Sequence, residues 1–420
     1  MTRIFCKANH LFRGCPQLAG QWMQVNFVVL SVQTFALRLN TSQMTCVFFA
    51  DSTLLASEHH EQLIRQAQGL NEQGFRSRVL GRPGSELSLS CVKAGLAFEP
   101  VPFLSFAHPT SVWRVSRLLR RHKPVAIICY GEMDSALMAL SVRALAGLKC
   151  LRYRPRLIYM QKGQTDSVRP YFYNQVFDIT LVPSHALRDQ LLNGRAIQPS
   201  RVAVLHPGVD FDAIARAAVP MPAPPLDQLL SNPNKRPLIF HRAPFGVEKG
   251  HDFMLDVVDS LLAEFPGLTY LAVGEGEMRE TFQREVQRRG LSDHVLILAA
   301  LGQPASVLAR ADVLVMPSAH ESLGKAPIEA LSLAIPVVVS NVGGLPETVL
   351  DGQTGFVCPP PFEKGAVDQW ATVLRGIFSA PQNSKQMART GSFAVRKQFG
   401  WASHLAGLIE QFNPPRLKSH

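Results

Sequence analysis

The chain has 420 residues, 46% of them hydrophobic and 18% charged, with a formal net charge of +11. At roughly 150 residues per domain this predicts two or three packed domains and excludes a disordered or fibrous chain. No uncharged apolar run reaches about 18 residues, which argues against a spanning helix, and seven scattered cysteines without a Cys-x-x-Cys argue against a disulfide scaffold or cysteine zinc site and for a reducing, cytoplasmic compartment.

The charge is unevenly placed. Residues 1–215 hold 24 Lys/Arg against 13 Asp/Glu, while residues 216–420 hold 19 of each. Arg114, Arg117, Arg120, Arg121, Lys123 and Arg152, Arg154, Arg156 read as a positive surface. Each such group near an anionic leaflet contributes about 1 kcal/mol, so an anionic membrane surface is an expected partner. Ordinary solvated charge is the plain alternative. Nucleic acid would meet the same charge through its phosphates, but no nucleic-acid partner is expected.

Residues 1–43 carry no acidic residue and no clear period. Arg3, Lys7 and Arg13 lie far from the apolar stretch Phe27–Leu37, unlike the basic flank of a secretory signal. The cleaner beginning is Met44, and residues 1–43 are expected to be a poorly ordered leader or a misassigned start. Beyond it, apolar runs predict strands at 45–50, 77–80, 125–130, 157–160, 179–182 and 202–205, with helices at 58–71, 112–122 and 135–145. Such runs, apolar throughout and separated by helices, predict parallel strands buried on both faces. That defines an α/β doubly wound N-terminal domain over 44–212. Clustered prolines then predict a stiff linker over 213–235. The alternation restarts with strands at 238–241, 269–273, 295–298, 313–316 and 337–340 and helices at 253–264 and 278–289. This gives a second, similar domain over 236–398 and a terminal helix over 399–414 that is expected to return to the N-terminal domain. A ligand is expected in a cleft between the two domains, at the carboxyl ends of the strands.

The most informative stretch runs from Met316 through Pro317-Ser318-Ala319-His320-Glu321-Ser322-Leu323-Gly324-Lys325 to Leu331. It leaves a strand and enters a helix, whose free amides and dipole favour a phosphate. Glu329 lies on the order of 6 Å inside that helix, where a carboxylate can accept two hydrogen bonds from a vicinal diol such as a ribose. Glu321 stays in the loop, within reach of a second hydroxylated group. Taken alone, the two glutamates read as a pair of surface residues beside an ordinary helix.

This segment, followed by Pro336-Val337-Val338 and Gly343-Gly344-Leu345-Pro346-Glu347, resembles glycosyltransferase family 4 in its Glu-x7-Glu signature. Arg242 with Glu248-Lys249-Gly250 and Val273-Gly274-Glu275-Gly276 match further elements in the same order. The resemblance implies a GT-B fold, two Rossmann-like domains facing a central cleft, and retaining transfer from a nucleotide diphosphate sugar. It implies that Arg242 and Lys249 bind the donor diphosphate, that Glu329 binds ribose and Glu321 the donor sugar, and that Ser322, Leu323, Gly324 and Lys325 contact donor oxygens. Leu205-His206-Pro207-Gly208-Val209-Asp210 is similar to the family's link between domains, with Gly208 allowing close backbone approach.

The N-terminal half departs from the pattern. Its first loop, Asp51-Ser52-Thr53, lacks paired glycines, and the family's usual histidine falls near Gln161-Lys162. Gln161 and Lys162 are candidates for the donor–acceptor junction or for a strand cap, and His108 and Glu132 are further candidates after apolar runs. Asp210-Phe211-Asp212 has the form of a metal motif but reads as a helix cap. His59-His60 has the wrong spacing for one helix face.

The expected activity is transfer of a sugar to a glycan or lipid-linked acceptor in cell-envelope or lipopolysaccharide biosynthesis, at the cytoplasmic face of a membrane. No cofactor or metal is expected, because protein cations offset the diphosphate. A nucleotide-sugar epimerase or phosphorylase on the same fold, or a non-catalytic sugar-nucleotide-binding scaffold, are the alternatives.

Overall fold

A computed structural model describes residues 45–54, 58–105, 107–147, 153–161, 172–193, 197–219, 226–299 and 304–412. Residues 1–43, Arg152 and Lys162 lie outside these, as does the side chain of Glu132. The described residues divide into two compact units: those of 45–161, 172–181 and 405–412 form the first, and those of 182–404 the second.

In chain order the first sheet comprises β1 (Cys46–Ala50), β2 (Arg76–Gly81), β3 (Ala97–Pro100), β4 (Ala126–Cys129), β5 (Arg156–Met160), β6 (Ile179–Val182) and β7 (Val202–Val204). Their order across the sheet is β3-β2-β1-β4-β5-β6-β7. β1 lies between β2 and β4 and is parallel to both. Helices α1 (Glu58–Glu72), α2 (Glu86–Lys93), α3 (Pro109–His122) and α4 (Glu132–Gly147) make the crossovers. Alternate residues of β1 reach opposite faces, yet all five are buried. Cys46, Phe48 and Ala50 pack with Val115 and Leu118 of α3 and Leu137 and Val142 of α4. α3 starts on Pro109, which needs no N–H at the first helical position, and ends with Arg120, Arg121 and His122, whose charge suits a helix C-terminus.

The second unit's sheet comprises β8 (Leu238–Arg242), β9 (Thr269–Val273), β10 (Val295–Leu298), β11 (Val313–Met316), β12 (Val337–Ser340) and β13 (Phe356–Cys358). Their order is β10-β9-β8-β11-β12-β13, and every neighbouring pair is parallel. Its helices are α5 (His185–Leu192), α6 (Phe211–Ala218), α7 (Leu226–Leu230), α8 (His251–Leu261), α9 (Arg279–Arg288), α10 (Pro304–Leu308), α11 (Lys325–Ser332), α12 (Ala366–Ser379) and α13 (Pro381–Phe399). Phe240, Leu314, Met316 and Val339 point to one face, against Ile328 and Leu331 of α11 and Val395 and Phe399 of α13. Ile239, Tyr270, Val313 and Val338 point to the other, against Val257 and Leu261 of α8 and Trp370 and Leu374 of α12. A sheet covered on both sides explains the unbroken apolar runs in its strands. Each large side chain so buried contributes about 1.5–3 kcal/mol.

Two boundaries differ from the sequence reading. The second unit starts at Val182 rather than beyond the prolines, because Ser184, His185 and Ala186 bond to Ser322 and Glu347 of that unit. Residues 211–218, which run from the end of the expected N-terminal domain into the expected linker, form α6, capped by the Asp210 carboxylate on the Ala213 N–H at 2.8 Å. Phe211 joins the second unit's core. The terminal helix α14 (Trp401–Glu410) contributes its residues from Leu405 onward to the first unit, where Phe412 meets Phe75 edge to face at 5.6 Å. Among the described residues no helix is long and apolar enough to cross a membrane.

Candidate functional site

In the second sheet the strand order reverses between β8 and β11. Crevices outside the carboxyl ends of strands at such a reversal are where open α/β sheets bind ligands. β8 ends on Arg242, and β11 runs through Pro317–Leu323 into α11. Between β8 and α8 a tight helical turn, Val247–Lys249, brings Lys249 to the same corner.

The local sequence fixes this geometry. Gly250 has φ +74, a left-handed conformation that side chains rarely adopt. A Cβ there would run into the Pro317 carbonyl oxygen. The two loops are further joined by the Ala319 N–H donating to the Glu248 carbonyl at 2.7 Å. Gly343, at φ +51, lets a backbone turn press against the Glu321 carbonyl, and the Gly344 N–H donates to that same oxygen at 3.2 Å. Ser184 Oγ donates to the Ser322 carbonyl at 2.6 Å. The loop before α11 is therefore held from three sides, twice by backbone and once by the Ser184 hydroxyl.

Four of the expected site residues meet here. Lys249 Nζ lies 3.1 Å from Glu321 Oε2 and 3.5 Å from the His320 carbonyl. Arg242 and Glu329 form a charged pair. All four side chains are between 16% and 25% exposed, so they remain reachable from water. α11 begins after Gly324 at φ +87, with no side-chain cap and no acidic residue in its first turn. Such a helix start presents amides and about half a positive charge to an anion. Ser322 is half-buried, Leu323 and Gly324 are buried, and Lys325 is exposed. A cavity of about 500 Å³ lies beside the Val247–Lys249 turn, lined by Gly246, Val247, Glu248, Gly250, Ala319 and His320 among others.

Beneath the cations lie two buried histidines. His241 Nδ1 is 2.7 Å and His251 Nδ1 3.3 Å from the Tyr270 hydroxyl. Burial pushes His241 well down from the ordinary imidazole range, helped by His251 and Lys249. Burial likewise lowers His251 to about 4. Both are neutral at pH 7, which leaves the positive charge of the corner to Arg242 and Lys249.

The other sequence candidates lie elsewhere. Gly208 packs under Trp401, whose ring atoms would stand 2.7–2.9 Å from an added Cβ. That ring leaves no room for a side chain at this position. Gln161 directly follows β5 in the first unit, buried, with its Oε1 accepting from the Tyr173 hydroxyl at 3.1 Å. His108 precedes α3 without capping it, its Nδ1 3.1 Å from Thr110 Oγ1. Glu132 opens α4.

Sequence reasoning missed two features. Glu347 accepts from the N–H groups of His185 at 2.9 Å and Ala186 at 2.8 Å, supplying the carboxylate that α5 lacks in its own first turn. The second lies at the reversal of the first sheet, between β1 and β4. Asp51 Oδ1 accepts from the Thr53 N–H and hydroxyl at 2.9 and 2.7 Å, and Thr53 Oγ1 is 2.7 Å from His60 Nε2. Asp134 accepts from Ser52 Oγ at 2.9 Å and from the Tyr130 and Gly131 N–H groups at 3.1 and 2.8 Å. Asp-Ser-Thr directly after a buried strand was the signal for the first of these pairs.

Residues 226–391 match the family model described as glycosyl transferases group 1, and residues 61–213 match glycosyltransferase family 4. A D-inositol 3-phosphate glycosyltransferase of Streptomyces avermitilis is 33% identical over 257 residues, 55% of this chain and 52% of its own length. The sulfoquinovosyl transferase SQD2 of Arabidopsis thaliana is 29% identical over 323 residues, 74% of this chain and 58% of its own. The chain spans about half the length of the curated relatives it matches. Among solved structures, a glycosyltransferase from Rickettsia africae superposes with TM-score 0.72 at 16% identity, over 88% of this chain and 98% of that one. Anabaena Alr3699/HepE in complex with UDP-glucose gives 0.66 at 16% identity, over 87% and 98%. Two parallel Rossmann-like sheets of seven and six strands, together with these matches, place the chain in glycosyltransferase family 4 with a GT-B fold.

Proposed function

We propose that this chain is a retaining glycosyltransferase that moves a sugar from a nucleotide diphosphate sugar to an acceptor hydroxyl. The observation that carries the reading is the convergence of Arg242, Lys249, Glu321 and Glu329 on the uncapped start of α11, at the reversal of the second sheet. A donor diphosphate exchanges places with the two carboxylates as the partner of Lys249 and Arg242. Glu329, released from Arg242, accepts from the ribose hydroxyls, and Glu321 from hydroxyls of the transferred sugar. As the sugar–phosphate bond breaks, the cations and the α11 amides stabilise the charge that develops on the leaving diphosphate. The acceptor hydroxyl attacks from the face the diphosphate leaves, and a diphosphate oxygen takes its proton. In this reading the two cations supply the counter-charge and no metal is assigned to the diphosphate.

Several relatives and neighbours support a sugar-nucleotide donor: Anabaena HepE is in complex with UDP and with UDP-glucose, and a Mycolicibacterium smegmatis relative is GDP-mannose-dependent. For the acceptor we favour a lipid-linked or cell-envelope glycan met at an anionic membrane surface on its cytoplasmic side. In support, α3 carries no acidic residue and exposes Trp113, with the Arg117 guanidinium 5.6 Å over its ring and Arg120, Arg121 and Lys123 exposed nearby.

A thermal-shift screen of nucleotide sugars, followed by turnover with polyol and lipid-linked acceptors, tests the reading. A true donor at about 100 times its Kd stabilises the fold by about 2.7 kcal/mol, and the product keeps the donor's anomeric configuration. Donor conversion without acceptor selects an epimerase, phosphate dependence a phosphorylase, and binding without turnover a scaffold. Inverted product contradicts the retaining step.

A further inference from the structure

We propose that His185, His206 and Glu347 form a binding site for one divalent transition-metal ion of the zinc type, separate from the sugar-nucleotide chemistry. Among the described residues these three alone bring three potential ligand atoms within 4.8 Å of one another. They come from the start of α5, the segment before α6 and the helical turn Leu345–Glu347, all within the second unit.

The surroundings prepare each ligand. His206 Nδ1 lies 2.9 Å from the Pro183 carbonyl, an acceptor only, so this nitrogen carries the proton and the Nε2 lone pair faces the cluster. A ring whose second nitrogen is bonded to a carbonyl is the usual arrangement of a metal-bound histidine. The Glu347 carboxylate is oriented by two backbone N–H groups and keeps a lone pair on each oxygen. Its full negative charge outweighs the roughly half positive charge of the α5 N-terminus. The two imidazole centres are 5.9 Å apart with planes at 67°. Two rings on one tetrahedral ion with bonds of about 2.1 Å place their centres roughly 5 Å apart, so a small rotation of the exposed His185 closes the site.

One contact must yield. The Gln398 amide nitrogen sits 3.2 Å from His206 Nε2, and this exposed side chain gives up that contact to the ion. His206 and Glu347 are half-buried, which leaves an entry path from water. Two imidazoles and one carboxylate suit Zn²⁺, Co²⁺ or Ni²⁺ better than Mg²⁺ or Ca²⁺, with a fourth position left for water. The ion would pin the Leu345–Glu347 turn, which follows the Gly343-Gly344 backbone that supports Glu321.

The test uses untagged, full-length, metal-free protein titrated with Co²⁺, followed by visible absorption, and with Zn²⁺ in competition with a chromophoric chelator. One ion per chain and a Co²⁺ spectrum of tetrahedral type are expected. His185→Ala, an exposed change that leaves the fold intact, and His206→Ala each weaken binding by at least the roughly 10- to 100-fold that loss of an outer-shell partner costs. Bound Zn²⁺ raises Tm in the wild type and not in His185→Ala. Absence of the Co²⁺ band, or unchanged affinity in His185→Ala, overturns the site.

Discussion

The two sheets reverse their strand order in the same way, yet the carboxylates at the two reversals do opposite jobs. In the first unit Asp51 and Asp134 are fully buried and turned onto their own loops, where they satisfy backbone N–H groups and the Ser52 and Thr53 hydroxyls. Burial, followed by the charge of nearby Asp51, works to raise the Asp134 carboxyl despite those bonds. In the second unit Glu321 and Glu329 are half-buried and paired with cations, and the backbone is held by glycine turns instead. Exposed and half-exposed ion pairs contribute little stability, commonly under about 1 kcal/mol. A corner built from such pairs can exchange one partner for a ligand without loosening the fold. Loss of a buried, hydrogen-bonded carboxylate instead leaves donors unsatisfied.

Lys249→Ala sharpens that contrast most. It is expected to lower kcat/KM for transfer by about 100- to 1,000-fold, the scale of losing one electrostatic contact to a developing charge, while unfolding free energy changes by about 1 kcal/mol or less. Steady-state kinetics and urea unfolding on the same preparation check both halves.

Acidification acts next, through His241 and His251. Their imidazoles are held below the ordinary value of 6.5 in the folded state, so the unfolded chain takes up protons first as pH falls. Stability is complete above about pH 6.5 and declines toward pH 4, with His251 alone costing about 3 kcal/mol below that point. Thermal unfolding across this range should show the decline, and His251→Gln should make it shallower, with His241 and the buried His404, lowered to about 4, still contributing. An unchanged slope in that variant contradicts the assignment.

Asp134→Ala is the counterpart of Lys249→Ala. By leaving the Gly131 N–H and the Ser52 hydroxyl without their acceptor, and the Tyr130 N–H with only the Ala50 carbonyl at 3.2 Å, it should destabilise by about 2 kcal/mol, read as a lower urea midpoint. Gly250→Ala should cost about 1–2 kcal/mol through left-handed strain and displacement of Pro317. A Gly250→Ala variant as stable as the wild type would show that the two loops are not locked together.

What the sequence discloses follows from how far apart the partners lie. The buried strands are apolar runs of four to six residues and read directly. The Glu-x7-Glu spacing and the Arg242 to Lys249 segment are local and also legible. By contrast, Ser52 and Asp134 are 82 positions apart, and Glu347 caps a helix 161 positions upstream, so no local pattern announces either. β3 and β13 escape notice for another reason. The first is a four-residue strand whose residues are all at least partly exposed, with Glu99 and Pro100 at its end, and the second has only three residues. α6 hides beside the proline cluster because its packing rests on Phe211, outside that cluster.

The central claim, that a diphosphate takes the cations at the start of α11 with its ribose on Glu329, is tested most directly by calorimetry. The nucleoside diphosphate selected by the donor screen and inorganic pyrophosphate would each be titrated into wild type, Lys249→Ala and Glu329→Ala. The account predicts that Lys249→Ala weakens both ligands at least about tenfold, a loss of about 1.4 kcal/mol, while Glu329→Ala weakens only the nucleoside diphosphate. Equal affinity of Lys249→Ala and wild type for the nucleoside diphosphate would contradict it.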